Sequence, residues 1–101
     1  MVKLIVLYSK PADVAAFDMH YFETHAQLAS KMPGLRRLEV SRCYGAPRGE
    51  PKFYLQAELY FDNKDALVAG LSSPEGKAAA KDVMSFAGDL VTMMFAEVTT
   101  G

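Results

Sequence analysis

The sequence has little of several features that define whole classes of protein. It has a single cysteine, Cys43, so an intrachain disulfide is impossible and a secreted disulfide scaffold is excluded. Its 11 lysine and arginine residues against 12 aspartate and glutamate residues leave no positive excess for nucleic acid phosphates. No apolar run approaches the roughly 18 residues that span a bilayer. These absences predict a protein of the reducing cytoplasm that binds neither nucleic acid nor a membrane.

The length and the apolar content predict one folded domain. The chain has 101 residues, which is too few for a second independent core, so a single domain is expected over residues 1–101. Half of the residues are hydrophobic and the net charge is only -1, which excludes a disordered chain. The apolar stretch from Val2 to Ser9 is too short for a signal peptide and favours a first strand.

Hydrophobic spacing and turn residues predict the element order β-α-β-β-α-β. Strands are expected at residues 2–9, 35–44, 53–61 and 89–98. A helix is expected over residues 14–31, ended by Pro33 and Gly34. A second helical region is expected in two pieces, one capped by Asp62 and the other by Ser73. This order is typical of a ferredoxin-like α+β fold, with helices on one face of a four-stranded antiparallel sheet.

The first strand is apolar on both faces, and both faces must therefore be covered. Helices can cover one face of so small a sheet, so a second copy of the chain is expected on the other. The third strand carries a polar row on one of its faces, formed by Tyr54, Gln56, Glu58 and Tyr60. In a monomer this row would face solvent. In a homodimer it would lie at the interface, where Glu58 would need a partner and the arginines of the second strand are candidates.

The first helix carries both histidines of the chain, His20 and His25, together with Tyr21. These residue types suit proton transfer near neutral pH and the polarisation of a carbonyl. Tyr21 and His25 are four residues apart and share a face. The two histidines are five apart, which places them about 140° apart around a regular helix. We therefore expect them on opposite shoulders of the apolar stripe, with His20 toward solvent and no metal held between them.

A structural interpretation of the same residues is also open, and the residues alone favour it. Tyr21 would be a core residue, and His25 a partly buried histidine bonded to a backbone carbonyl. Cys43 is typical of a small buried hydrophobe rather than a nucleophile. The loop at residues 45–50 joins two strands and lacks the spacing of a phosphate loop, so no nucleotide cofactor is predicted.

Five stretches of the chain, in their order and spacing, resemble the EthD family, named for a protein of ethyl tert-butyl ether degradation. They are PADVAAFDMHYFETH (11–25), MPGLRR (32–37), AELYF (57–61), SPEGKAA (73–79) and FAEV (95–98). The resemblance implies a dimeric α+β barrel, in which two ferredoxin-like units pack sheet to sheet, with a pocket between sheet and helices. The family's aromatic residue with a histidine four positions later corresponds to Tyr21 and His25. Ala26 departs from the pattern, because related sequences often have proline there.

The resemblance links the chain to a wider superfamily that includes cofactor-free monooxygenases, polyketide cyclases, lactone isomerases and haem-degrading enzymes, and the first of two hypotheses is therefore an enzyme. The substrate would be a small apolar aromatic or carbonyl compound, and the reaction a cyclisation, dehydration, isomerisation or cofactor-free oxygenation, without metal or nucleotide. His25 would be the general acid or base. Tyr21 would orient the carbonyl or donate to a developing oxyanion, and His20 is the weaker candidate.

The alternative is a protein that binds a small hydrophobic molecule without catalysis, as an accessory to a degradation pathway. A pocket rich in methionine and aromatic residues can bind without acid–base groups. The position of the His25 ring discriminates between the two functions. A ring in bulk solvent, or one sealed away from any cavity, could not reach a substrate and would exclude the enzyme.

Overall fold

The computed structural model describes residues 1–101 and contains one four-stranded antiparallel sheet. Its strands are β1 (Val2–Tyr8), β2 (Arg37–Arg42), β3 (Leu55–Phe61) and β4 (Val91–Glu97). They lie in the order β2-β3-β1-β4, so the first strand is central and β4 is an edge strand. The predicted ferredoxin-like α+β fold is confirmed, with each strand somewhat shorter than its hydrophobic pattern suggested.

The helical regions cover one face of this sheet. The first region consists of α1 (Val14–His20), a π-helical segment (Tyr21–His25) and α2 (Ala26–Ser30), and the second of α3 (Lys64–Ser72) and α4 (Pro74–Ala87). None of these helices combines the length and the apolar character that a membrane crossing requires.

Side-chain caps fix where the later helices begin. The predicted cap at Ser73 is confirmed, since its hydroxyl accepts a hydrogen bond from the Gly76 backbone at 3.0 Å. The predicted cap at Asp62 is wrong. Asn63 caps α3 instead, because a capping oxygen must lie three residues before the amide that it accepts, here that of Ala66 at 2.8 Å. The Asp62 carboxylate instead pairs with Arg36.

The π turn is the main departure from the predicted regular helix over residues 14–31. The backbone N–H of Ala26 donates to the carbonyl of Tyr21, five residues back rather than four. A turn of this kind places residues five apart above one another along the helix. Its position matters because His20 and His25 are separated by that number of residues.

The core lies between the helices and the sheet. Alternation along β1 buries one set of side chains under the helices, namely Val2, Leu4, Val6 and Tyr8, as the sequence pattern predicted. The opposite set remains only half-buried in the single chain: Lys3, Ile5 and Leu7. The face of the sheet away from the helices is therefore partly apolar and open.

Glu58 is buried on that open face, with 8% of its surface exposed. Within the single chain Glu58 pairs with Lys3 rather than with an arginine of β2, since the Lys3 ammonium donates to Glu58 Oε2 at 2.5 Å. Lys3 lies opposite Tyr60, and this diagonal position brings its long side chain within reach of Glu58. Gln56 also donates to Glu58, at 2.9 Å. Arg37 of β2 instead lies over the Tyr60 ring, 4.7 Å from its centroid.

Candidate active site

A cavity of about 310 Å³ lies between the helices and the covered face of the sheet. Side chains of β1 and β3 line its floor, among them Leu4, Val6 and Leu59. The lining residues are hydrophobic except for His25, and two of them, Tyr8 and Tyr21, carry a phenol hydroxyl group. This size and this composition, apolar with a few convergent polar groups, are those of a small-molecule site.

The cavity reaches the surface beside the edge strand β4. Met93 and Phe95 line it and are 44% and 68% exposed, because no helix covers this edge of the sheet. Ala80 of α4 also lines the cavity and is exposed. A molecule in solution can therefore enter between α4 and β4.

The His25 ring lies at the wall of the cavity, where the π turn directs it. The residue is 7% exposed, so the ring is neither in bulk solvent nor sealed away from the cavity. Its Nδ1 atom lies 2.9 Å from Oδ2 of Asp82 on α4. A carboxylate can only accept, so Nδ1 carries the hydrogen and Nε2 keeps a lone pair. Nε2 is the nitrogen left for a molecule in the cavity.

The two histidines converge on one carboxylate, and the predicted placement on opposite shoulders of the helix is wrong. His20 Nε2 lies 2.9 and 3.0 Å from the two oxygens of Asp82. The π turn between the histidines brings them onto one side of the helix, whereas a regular helix would separate them. The His20 side chain is still 36% exposed, so it lies at the solvent end of the triad formed by His20, Asp82 and His25.

Asp82 was absent from the sequence-based candidates. Its side chain is only 16% exposed and accepts from both histidines. The sequence feature that could have identified Asp82 is its position on α4. It lies three residues after Ala79 and next to Val83, which are both buried in the core. A carboxylate that flanks a buried helix stripe needs a hydrogen-bonding partner. Histidine is the residue type that could supply it on the facing helix.

Burial and charge act in opposite directions on His25. Burial lowers its pKa below the ordinary value of 6.5, the carboxylate of Asp82 raises it, and the neighbouring His20 lowers it again. The first effect prevails, so the imidazole is neutral at pH 7. A neutral imidazole with a lone pair on Nε2 can accept a proton, and Asp82 can stabilise the imidazolium that results.

Tyr21 and Tyr8 bring two phenol groups to the same cavity. Each is 1% exposed, and their ring centroids lie 5.5 Å apart in an edge-to-face arrangement. Burial raises the pKa of both phenols, so they remain protonated donors. The sequence indicates Tyr21 as a candidate, whereas Tyr8 belongs in the sequence pattern to an apolar strand face.

Other chemistry-bearing residues lie apart from this site. Cys43 is half-buried just after β2 and does not line the cavity. No group of three or more histidine, cysteine, aspartate or glutamate side chains is arranged to hold a metal ion. The cavity wall thus combines a histidine–aspartate pair with phenol donors in an apolar surrounding, an arrangement suited to proton transfer.

Comparison with known proteins identifies close relatives over the whole chain. A family model described as the EthD domain matches residues 9–89. An uncharacterised 11.0 kDa protein from the thcB-thcC intergenic region of Rhodococcus erythropolis is 38% identical over 100 residues, which are 99% of this chain and 97% of that protein. The crystal structure of an EthD family protein from Bacillus halodurans is 52% identical and has a TM-score of 0.95, covering 98% of this chain and 99% of that chain.

More distant structures share the fold. A dimeric ferredoxin-like protein of unknown function from Jannaschia sp. has a TM-score of 0.71 at 17% identity, covering 96% of this chain and 98% of that chain. SnoaB, a cofactor-independent oxygenase from Streptomyces nogalater, has a TM-score of 0.71 at 15% identity, covering 99% of this chain and 94% of that chain. At this identity the likeness concerns architecture, and function has to be argued from the site.

Proposed function

The chain belongs to the EthD family, and we propose that it catalyses general acid–base chemistry on a small apolar carbonyl compound bound in this cavity. The observation that carries the proposal is the placement of His25. Its ring lines an otherwise apolar cavity, with one nitrogen bonded to Asp82 and the other without a partner in the chain. A histidine that served only the core would have no need of a cavity beside it.

His25 is the proton-transferring group. Nε2 takes a proton from the carbon next to the substrate carbonyl, and the electron pair of that C–H bond forms a carbon–carbon double bond. The carbonyl oxygen becomes an enolate oxygen. The carboxylate of Asp82, 2.9 Å from Nδ1, then compensates the charge of the imidazolium. Asp82 does not touch the substrate and is a positioning residue.

Tyr21 holds the carbonyl oxygen and stabilises the enolate. Its ring centroid lies 5.4 Å from that of His25, so the phenol and the imidazole act on neighbouring atoms of one molecule. A donor aimed at the developing negative charge lowers the barrier most where water is excluded. The raised pKa of Tyr21 keeps the phenol protonated for this role.

The enolate can form several products, and the shape of the cavity determines which of them is formed. Return of the proton to a different carbon isomerises the substrate. Loss of a hydroxyl group, protonated by the imidazolium, dehydrates it. Attack of the enolate carbon on a second carbonyl of the same molecule forms a ring. Dioxygen, as the oxidant, can instead attack an activated carbanion without any cofactor.

A non-catalytic binding protein is the second candidate. The extent of the apolar lining favours it, since methionines at two sides of the cavity, Met32 and Met93, can adapt to hydrophobic ligands of different shape. The two functions differ in one result. If His25→Gln and Tyr21→Phe leave both ligand affinity and the flux through the pathway unchanged, the result favours binding over catalysis.

Deuterium incorporation tests the proposed chemistry without the natural substrate. The probe is 2-tetralone, a small apolar ketone with acidic hydrogens next to its carbonyl. We expect the protein to accelerate exchange of these hydrogens in D₂O and His25→Gln to lose most of the acceleration. Equal exchange by both proteins, with the ketone bound by both, would contradict the proposal.

A further inference from the structure

Tyr8 is a buried phenol whose hydroxyl has no hydrogen-bond partner in the chain. It ends β1, opposite Leu55 on one neighbouring strand and Val91 on the other. Its backbone carbonyl accepts from the Tyr54 amide at 2.7 Å, so the main chain is held on both sides. The residue is 1% exposed and lines the cavity. A group this deep in the fold is normally paired.

Aromatic neighbours fix the direction of the Tyr8 ring. Phe17 and Tyr21 meet it edge to face, with centroids 5.4 and 5.5 Å away. Phe86 stacks on it at 6.4 Å. Packing on three sides leaves the ring no freedom to turn its hydroxyl elsewhere, which is the preorganisation that a binding or catalytic donor requires.

The hydroxyl groups of Tyr8 and Tyr21 both lack a hydrogen-bond partner in the chain. Neither hydroxyl takes part in a side-chain hydrogen bond, and no fully enclosed polar side-chain atom is without a partner. Both hydroxyls must therefore reach the surface of the cavity that their residues line. Two donors with no acceptor in the chain face one apolar space.

We propose that Tyr8 and Tyr21 together form a two-donor site for the oxygen of an uncharged carbonyl group, which restricts the substrate class to ketones, quinones or lactones. This inference rests on the proposed function, because it specifies the substrate of the same cavity. A carbonyl oxygen has two lone pairs and can accept from both phenols at once. The second donor matters most when the oxygen becomes an enolate.

Charge around the cavity argues against a carboxylate ligand. No lysine or arginine lines the cavity, and the His25 imidazole is neutral at pH 7. The carboxylate of Asp82 lies behind the histidine and would repel an anion. Burial raises the pKa of Tyr8, and the neighbouring Tyr21 and the carboxylate of Asp82 raise it further. A neutral carbonyl meets donors here without such repulsion.

The test compares a ketone with a hydrocarbon of the same shape. The probes are 2-tetralone and 2-methylenetetralin, in which a CH₂ group replaces the carbonyl oxygen. We measure the dissociation constant of each probe and the infrared carbonyl stretch of the bound ketone. The proteins are the wild type, Tyr8→Phe, Tyr21→Phe and the double variant. Each substitution removes only the hydroxyl oxygen of one tyrosine. Tyr44→Phe, at a fully exposed position, is the control.

The wild type should bind the ketone more tightly than the hydrocarbon and lower the carbonyl stretching frequency. Tyr8→Phe should reverse part of that shift and weaken ketone binding about 2- to 10-fold, the worth of one hydrogen bond, without weakening hydrocarbon binding. The inference is overturned if the wild type does not prefer the ketone. It is also overturned if Tyr8→Phe changes neither the stretch nor the preference, or weakens both probes equally.

The results distinguish a failure of the two-donor site from a failure of the proposed acid–base function. His25→Gln should retain the carbonyl shift, because it leaves both phenols in place. If Tyr8→Phe has no effect while His25 still controls deuterium incorporation, only the two-donor site is wrong. If the carbonyl shift is present while His25→Gln exchanges as fast as the wild type, the acid–base function is wrong and the ketone site stands.

Discussion

Nδ1 of His25 lies 2.9 Å from Oδ2 of Asp82, although the two residues are separated by 57 positions in the chain. This contact joins the first helical region to α4 beside the cavity that His25 lines. It fixes which nitrogen of the imidazole carries hydrogen and which faces the cavity. The proposed acid–base function depends on this contact, because a histidine in this state can act as a base at neutral pH.

Asp82→Asn should shift the pH dependence of the exchange reaction to lower pH. Asp82 raises the pKa of His25, so removing its charge lets burial lower that pKa further. The base is active only when deprotonated, so the acidic limb of the profile should move down. The maximal rate should fall about 10- to 100-fold, since the asparagine no longer holds the productive tautomer or balances the imidazolium.

The measurement is the exchange rate of 2-tetralone from pH 4.5 to 8.5, with NMR titration of the His25 ring in parallel. Asp89→Asn, at an exposed position, is the matched control and should leave the profile unchanged. An unchanged or upward-shifted limb in Asp82→Asn would show that the carboxylate does not act on His25.

Protein stability should fall as the pH decreases below about 6.5, and His25 should account for part of the loss. Its pKa is lower in the folded state than in the unfolded chain, so the unfolded state binds more protons in that range. The contribution of His25 to stability is fully present above the pKa that His25 has in the unfolded chain. It is lost progressively as the pH falls toward the folded pKa.

Urea denaturation at pH 7.5 and at pH 5 measures this effect. The difference in free energy of unfolding between the two pH values should be smaller in His25→Gln than in the wild type. The comparison isolates the histidine from carboxylates such as Glu58, whose pKa is lowered by Lys3 and whose contribution is the same in both proteins. Equal pH dependence in the two proteins would contradict the burial effect.

Much of the architecture could be predicted from local pattern. The alternation of residue types along β1 and β3 predicts which side chains lie on each face of the sheet. Successive side chains of a strand point to opposite faces whatever surrounds the strand. Ser73 followed by Pro74 identified the start of α4, because a cap acts within one turn. Tyr21 and His25 were selected as a pair on one helix face, and both line the cavity.

The site itself could be predicted only in part. The π turn between His20 and His25 shifts backbone hydrogen bonds by one residue, and no residue in the segment requires that shift locally. Asp82 joins the site through the packing of α4 against the first helical region. Helical periodicity cannot predict this contact, because it relates only residues of the same helix. Tyr8 looked apolar because its neighbours on the same strand face are apolar, and only the cavity shows that its hydroxyl lacks a partner in the chain.

Closing the entrance should block ligand binding without disturbing the fold. Ala80 lines the cavity and is exposed, so Ala80→Phe adds bulk at the mouth rather than in the core. We expect binding of 2-tetralone to weaken about 10-fold or more, a loss of roughly 1.4 kcal/mol. Ala78→Phe, on the same helix but outside the lining, should bind the ketone normally. Equal affinity in both variants would show that ligands enter elsewhere.

The open face of the sheet should pair with a second copy of the chain. Ile5 lies beside Met94 on this face, and Met94 is 45% exposed in the single chain. Light scattering at micromolar concentration should give twice the mass of the chain, as expected for an interface of ~2,000 Å² or more in total. Met94→Lys should shift the equilibrium toward monomer, whereas Met19→Lys, on an exposed position of α1, should not. A folded wild-type monomer would contradict this arrangement.

The most direct test of the central claim is the rate of deuterium incorporation into bound 2-tetralone by three proteins at pH 7.5. The wild type should be fastest, and His25→Gln should lose about 10²- to 10⁴-fold, the usual worth of one general acid–base group. His20→Gln should lose far less, because His20 contacts Asp82 and does not line the cavity. If His25→Gln, with the ketone bound, exchanges as fast as the wild type, His25 is not the base and the proposed acid–base function is wrong.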